Sequence, residues 1–140
     1  MGKGGCHIAG CDDRILVALE ILSKGVPKGH DALRFASEYF DMAEKCRAKN
    51  TNSAATTISS PGRCSFAMSA ESLARDMDYE RPGLSKRLAE GTFDPNPEHV
   101  NKVDAYYAHE AIANNLEMTQ VVLRQSLSFK GWIKALLWGY

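Results

Sequence analysis

The sequence predicts an all-α fold: a helical hairpin, two short helices joined by a tight turn, and helical segments towards the C-terminus. Three observations predict it. Apolar residues recur every three to four positions through most of the chain, the period of a helix with one buried face. No stretch alternates apolar and polar residues clearly enough to read as a strand. Capping residues, prolines and glycines stand where such helices must start and stop. A hydrophobic fraction of 44% over 140 residues is that of a globular chain, one domain or a small domain carrying helical arms.

The first helix is expected over residues 13–23. Asp12 and Asp13 suit its positive end, Ile15, Leu16, Leu19 and Leu22 form the stripe, and Gly25 and Pro27 stop it. The second fits 31–49, with Asp31 as cap and Leu33, Phe35, Ala36, Tyr39, Phe40, Ala43 and Cys46 at helical spacing. The short SKGVPKGH connection makes them an antiparallel pair, an N-terminal hairpin over residues 1–49. Residues 50–67 are small, hydroxylated and aperiodic, and read as a linker or long loop that proteases would cut first. A domain over 68–114 follows. Its helices are expected at 69–77, capped by Ser69, at 82–90, with Pro82 in the first turn and Gly91 as the stop, and at 97–114, where Asn96, Pro97 and Glu98 combine into a start signal. Residues 115–140 read as one amphipathic helix over 119–137, with Val122, Phe129, Ile133, Leu136 and Leu137 on one face. Gly131 is expected to weaken that helix by about 1 kcal/mol relative to alanine.

Composition excludes several classes of function. No segment approaches the roughly 20 apolar residues of a membrane span, and the opening MGKGGCHIAGCDDR lacks the apolar core of a signal peptide. Gly2 invites comparison with a myristoylation signal, but Cys6 stands where serine or threonine is wanted. A solvated N-terminus, no membrane partner and a cytoplasmic location are therefore expected. Four scattered cysteines (Cys6, Cys11, Cys46, Cys64) do not make a disulfide framework, and Cys6, His7 and Cys11 lack the second pair of a structural zinc site. Reduced thiols, no metal and no cofactor are the expectation. His7, His30, His99 and His109 lie among polar neighbours, and no phosphate loop, nucleophile elbow or carboxylate pair appears. No catalytic residue is assigned, and the chain is not read as an enzyme.

The segment ESLARDMDYERPGLSKRLAEG carries the functional argument. Leu73 and Met77 give a first helix its apolar face, and Ala74 is the small residue where a second helix crosses. Asp78 is expected either to open the turn with positive φ or to cap the second helix and bond the turn amides, and Tyr79 to tuck inward, while Leu84 and Leu88 anchor the second helix. Arg81, Gly83, Ser85, Lys86 and Arg87 are left around that second helix, the arrangement of a recognition helix in a major groove. The same apolar residues would also suit an ordinary helical hairpin. On Leu73-Ala74, the turn with Tyr79, Leu84-Ser85, Leu88 and Gly91, the sequence resembles the lambda-repressor/Cro-like helix-turn-helix family. The likeness extends through GTFDPNPEHVNKV, where Pro95, Glu98, Val100 and Val103 fit that pattern. It covers Met68 to about Ala108 and is silent on residues 1–67. Asp78 departs from the family's usual glycine.

The resemblance implies a sequence-specific DNA-binding regulator, such as a repressor, of phage, plasmid or other mobile-element type. Its partners would be double-stranded DNA and a second copy of the chain. Arg81 and Lys86 would read bases, Ser85 and the amides near Pro82 and Gly83 would position phosphates, and Arg75 and Arg87 would add contacts. Charge opposes this reading. Lysine plus arginine equals aspartate plus glutamate at 17 each, and between Ser69 and Asp94 four basic residues face six acidic ones. The alternative is an antitoxin-like, inhibitor or adaptor module that uses the same helices to dock a protein.

Overall fold

Seven α-helices account for the architecture in the computed structural model, which describes residues 12–53 and 65–140. They are α1 (Asp12–Ser23), α2 (His30–Ser53), α3 (Ser65–Glu80), α4 (Leu84–Ala89), α5 (Lys102–Asn114), α6 (Leu116–Gln125) and α7 (Phe129–Trp138). The fold is all-α, with no strand among the described residues. No described helix is long and apolar enough to cross a membrane.

The organising element is α2. Ala32, Leu33, Phe35, Ala36, Tyr39, Phe40, Met42, Ala43 and Cys46 are all buried, far more than one stripe of its surface. A helix apolar on most sides must be covered on most sides, and α3, α4 and α5 all pack on it. Helix α1 sits antiparallel beside α2, joined to it by Arg14, whose Nη2 lies 3.0 Å from both Glu38 and Asp41. An open apolar groove of about 770 Å³ runs between the two, lined by Val17, Ile21, Val26, Phe35 and Met42 among others. The far side of α1 packs on α6 and α7.

Several boundaries differ from the sequence expectation, each for a local reason. Helix α2 continues to Ser53 and α3 begins at Ser65, ahead of the expected Ser69; the remainder of the expected linker, residues 54–64, lies outside the described residues, as does the N-terminal segment 1–11. Ser69 is not a cap. It is buried inside α3, where its hydroxyl donates to the Phe66 carbonyl (2.9 Å) and shares a hydrogen bond with the Tyr39 hydroxyl. Burial pushes the Tyr39 phenol well above its ordinary range, so it remains a neutral partner. Phe66, fully buried, sets its ring 4.6 Å from that of Tyr39, tilted by 31°.

The expected helix 97–114 is interrupted. Asn96 accepts from the Glu98 amide as predicted, but only the single 3₁₀ turn Pro97–His99 follows. Val100 is extended, and Asn101 caps afresh by accepting from the Val103 and Asp104 amides at 3.0 and 3.1 Å. The expected helix 119–137 is likewise two helices. Leu127 turns into the core, the Ser126 hydroxyl bonds back to the Val122 carbonyl (2.8 Å), and Ser128 caps α7 by accepting from the Gly131 amide. Ser128 is itself fixed by Asp12 at the start of α1, which accepts from its amide (2.9 Å) and its hydroxyl. Cys46 is buried and disulfide-bonded, so the expectation of reduced thiols does not hold there.

Candidate functional site

The segment singled out by sequence forms α3, a short turn over Arg81–Gly83, and α4. Leu73, Met77, Leu84 and Leu88 are all buried, as their spacing requires. Helix α4 starts at Leu84, so Pro82 belongs to the turn and not to the helix. Gly83 provides the reversal, with φ of 84°, a left-handed conformation that a side chain would strain. Of the two roles expected for Asp78, positive φ is absent, because Asp78 still lies within α3 and no described residue other than glycine has positive φ, and the capping role is the one found. Its carboxylate instead reaches over the turn and accepts from the Ser85 amide (2.8 Å) and the Ser85 hydroxyl. It thereby satisfies an amide in the first turn of α4 and fixes that helix against α3. Tyr79 does not tuck inward; it is 83% exposed, since α3 runs a turn longer than expected and carries it round to the outer face.

The basic residues fall into two groups. Arg81 and Arg87 converge on Asp104 of α5: Arg81 Nε lies 2.6 Å from one carboxylate oxygen and Arg87 Nη2 lies 2.9 Å from the other. The Asp104 side chain is only 12% exposed, while the two arginines keep 39% and 40% of their side-chain surface. Lys86 and Arg75 form the other group, exposed and without an ion pair among the described residues. On α4 the solvent-facing positions are Lys86 and Ala89, preceded by Pro82 and Gly83 and followed by Glu90. Of the neighbouring acids, Asp76 accepts from buried Asn115 (2.8 Å), Asp78 is taken up by Ser85, and Asp94 by His99 (3.1 Å) and the Asn96 amide (2.9 Å). Glu71, Glu80 and Glu90 stay exposed.

Sequence reasoning missed Asp104, which touches residues 17 and 23 positions earlier in the chain. The signal within reach was the Asn101-x-x-Asp104 spacing, a cap followed by an acid in the first helical turn. Two of the histidines serve the scaffold: His30 Nε2 donates to the Asp94 carbonyl (3.2 Å) and His109 Nδ1 to the Pro27 carbonyl (2.8 Å). These bonds hold the connection after α4 and the α1–α2 turn in place. No group of three potential metal ligands occurs among the described residues. Compared with known protein families, curated proteins and solved structures, the chain matches none.

Proposed function

We propose that this chain is a non-catalytic, sequence-specific DNA-binding regulator of mobile-element type, presenting α4 to the major groove. The observation that supports this reading is the Asp104 carboxylate, which gathers Arg81 and Arg87 beside the exposed Lys86. Arg81 is bonded through Nε, so its two terminal nitrogens, with no hydrogen bond among the described residues, stay open to a guanine edge or a phosphate. A guanidinium already held by a buried carboxylate loses less rotamer freedom on binding than a free one. The accompanying cost is charge, since Asp104 offsets part of what the arginines bring. Lys86 therefore carries the largest unshared positive charge on α4, with Arg75 adding a contact from α3. Gly83 permits close backbone approach, while Ser85 acts through Asp78 to position the helix, a change from the phosphate contact expected of it.

Titration of duplex DNA from around the native gene, followed by fluorescence anisotropy, tests the reading. Two or three neutralised phosphates give a slope of log affinity against log salt of about −2 to −3. Lys86→Ala and Arg81→Ala are each expected to weaken cognate binding about tenfold, with unchanged circular dichroism, because neither belongs to the core. Absence of saturable binding at low salt, or binding that survives the double variant, overturns the proposal.

One observation favours docking of a protein. Tyr79, and Tyr106 exposed on α5, supply a side-chain type enriched in protein interfaces. On that reading Tyr79→Ala abolishes partner capture, and duplex DNA does not bind.

A further inference from the structure

One carboxylate governs two of the four basic side chains around α4. Arg81 lies in the turn after α3, Arg87 on α4 and Asp104 in the first turn of α5, so the contact joins three parts of the chain. Each oxygen of Asp104 takes one guanidinium: Oδ1 accepts from Arg81 Nε at 2.6 Å and Oδ2 from Arg87 Nη2 at 2.9 Å. The carboxylate is firmly placed. Asp104 as a whole is 8% exposed, and its amide donates to the Asn101 cap at 3.1 Å. Among the described residues no other acid pairs with either arginine. Asp76 and Asp78, the acids nearest in sequence, are bonded to the uncharged Asn115 and Ser85.

We infer that Asp104 is the specificity-determining residue of the α4 surface, a positioning residue that lowers general affinity and raises discrimination. The inference rests on the reading of α4 as a DNA-binding helix. Two effects of the same carboxylate carry it. The first is placement. A guanidinium on a free stem can follow any phosphate within reach, and every duplex offers phosphates. One held through Nε has a fixed plane, and its terminal nitrogens fit only an acceptor pair lying in that plane, as N7 and O6 of guanine do. The second is charge. Two guanidiniums and one carboxylate leave a single net positive charge where the arginines alone would present two. A random sequence is held by phosphate contacts alone, so the subtraction falls hardest on it. A matching sequence is held by base edges as well, and keeps what the placement supplies.

Asp104→Asn in the full chain tests this, because the amide removes the charge and replaces one of the two acceptor oxygens with a donor. Fluorescence anisotropy compares the tightest-binding duplex from around the native gene with the same duplex in shuffled sequence, from roughly 50 to 200 mM salt. For the shuffled duplex, affinity at low salt is expected to rise about tenfold and the slope against log salt to steepen by about 0.9, as for one further phosphate contact. The ratio of native to shuffled affinity is expected to fall about tenfold. Asp104→Glu keeps the charge and is expected to keep the parent slope on the shuffled duplex. Thermal melts set the assay temperature below the transition of every variant. If Asp104 only braces α4 against α5, Asp104→Asn weakens both duplexes by the same factor at an unchanged slope, and the inference is overturned. A slope for Asp104→Glu as steep as that for Asp104→Asn overturns it as well. In both cases a parent chain that prefers the native duplex leaves the DNA reading standing. A parent chain that binds the two duplexes equally, or neither, overturns the proposed function and this inference with it.

Discussion

Phe66→Ala is expected to lower stability by about 3–5 kcal/mol, the range for deleting a fully buried aromatic ring. The side chain is 0% exposed and its ring packs, tilted, against that of Tyr39, which lies at the centre of α2 and is equally buried. Loss of the ring removes its own burial and leaves a cavity against Tyr39. That helix cannot collapse into the space freely, since α4 and α5 hold it from other sides. Urea unfolding followed by circular dichroism should show a lowered midpoint with the slope unchanged. A connecting segment reaching to residue 67 would make the same substitution nearly silent. An effect below about 1 kcal/mol would therefore return Phe66 to that segment and remove the first turn of α3.

Gly131→Ala is expected to destabilise by about 2 kcal/mol, against the sign that helix propensity alone predicts. Alanine in a helix interior is better than glycine by roughly 1 kcal/mol. A Cβ at position 131, however, would sit 2.7 Å from Asp12 Cγ and 2.9 Å from Leu127 Cδ2. Neither neighbour can yield without cost. Leu127 is buried, and Asp12 is committed to the amide and hydroxyl of Ser128. Moving the carboxylate loses the bonds that fix α7 to α1, and overpacking of this kind costs about 1–3 kcal/mol. Thermal melts of the two proteins decide the sign, and a stabilised variant would mean that α1 and α7 are not in contact.

Helix existence was legible because periodic apolar residues report burial directly. The stripes of α1 and α2 and the set Leu73, Met77, Leu84 and Leu88 all turned inward. What escaped was decided by interactions too distant for a window to sense. Phe66 is a single bulky residue at the end of a polar run, and only the ring of Tyr39 gives it a place. Asp78 could be read as a strained turn residue or as a cap, and only its bonds to Ser85, seven residues on, decide for the cap. Asp104 draws Arg81 and Arg87 together from α5, so the basic character read along the α4 segment is in part shared with an acid from outside it. The break between α6 and α7 did carry a local sign, Ser126 and Ser128 around Leu127, but an unbroken apolar stripe outweighed it.

The bond between Asp12 and Ser128 spans 116 positions of the chain. Packing of α1 on α6 closes that loop already, so α7 itself adds only the Asp12–Ser128 bonds and the burial of Gly131 and Ala135. Helix α7 therefore belongs to the part of the molecule that opens first. Its amides exchange with deuterated solvent through local detachment, at a free energy well below that of global unfolding, while those of α2 and of α3 around Phe66 wait for the whole chain to unfold.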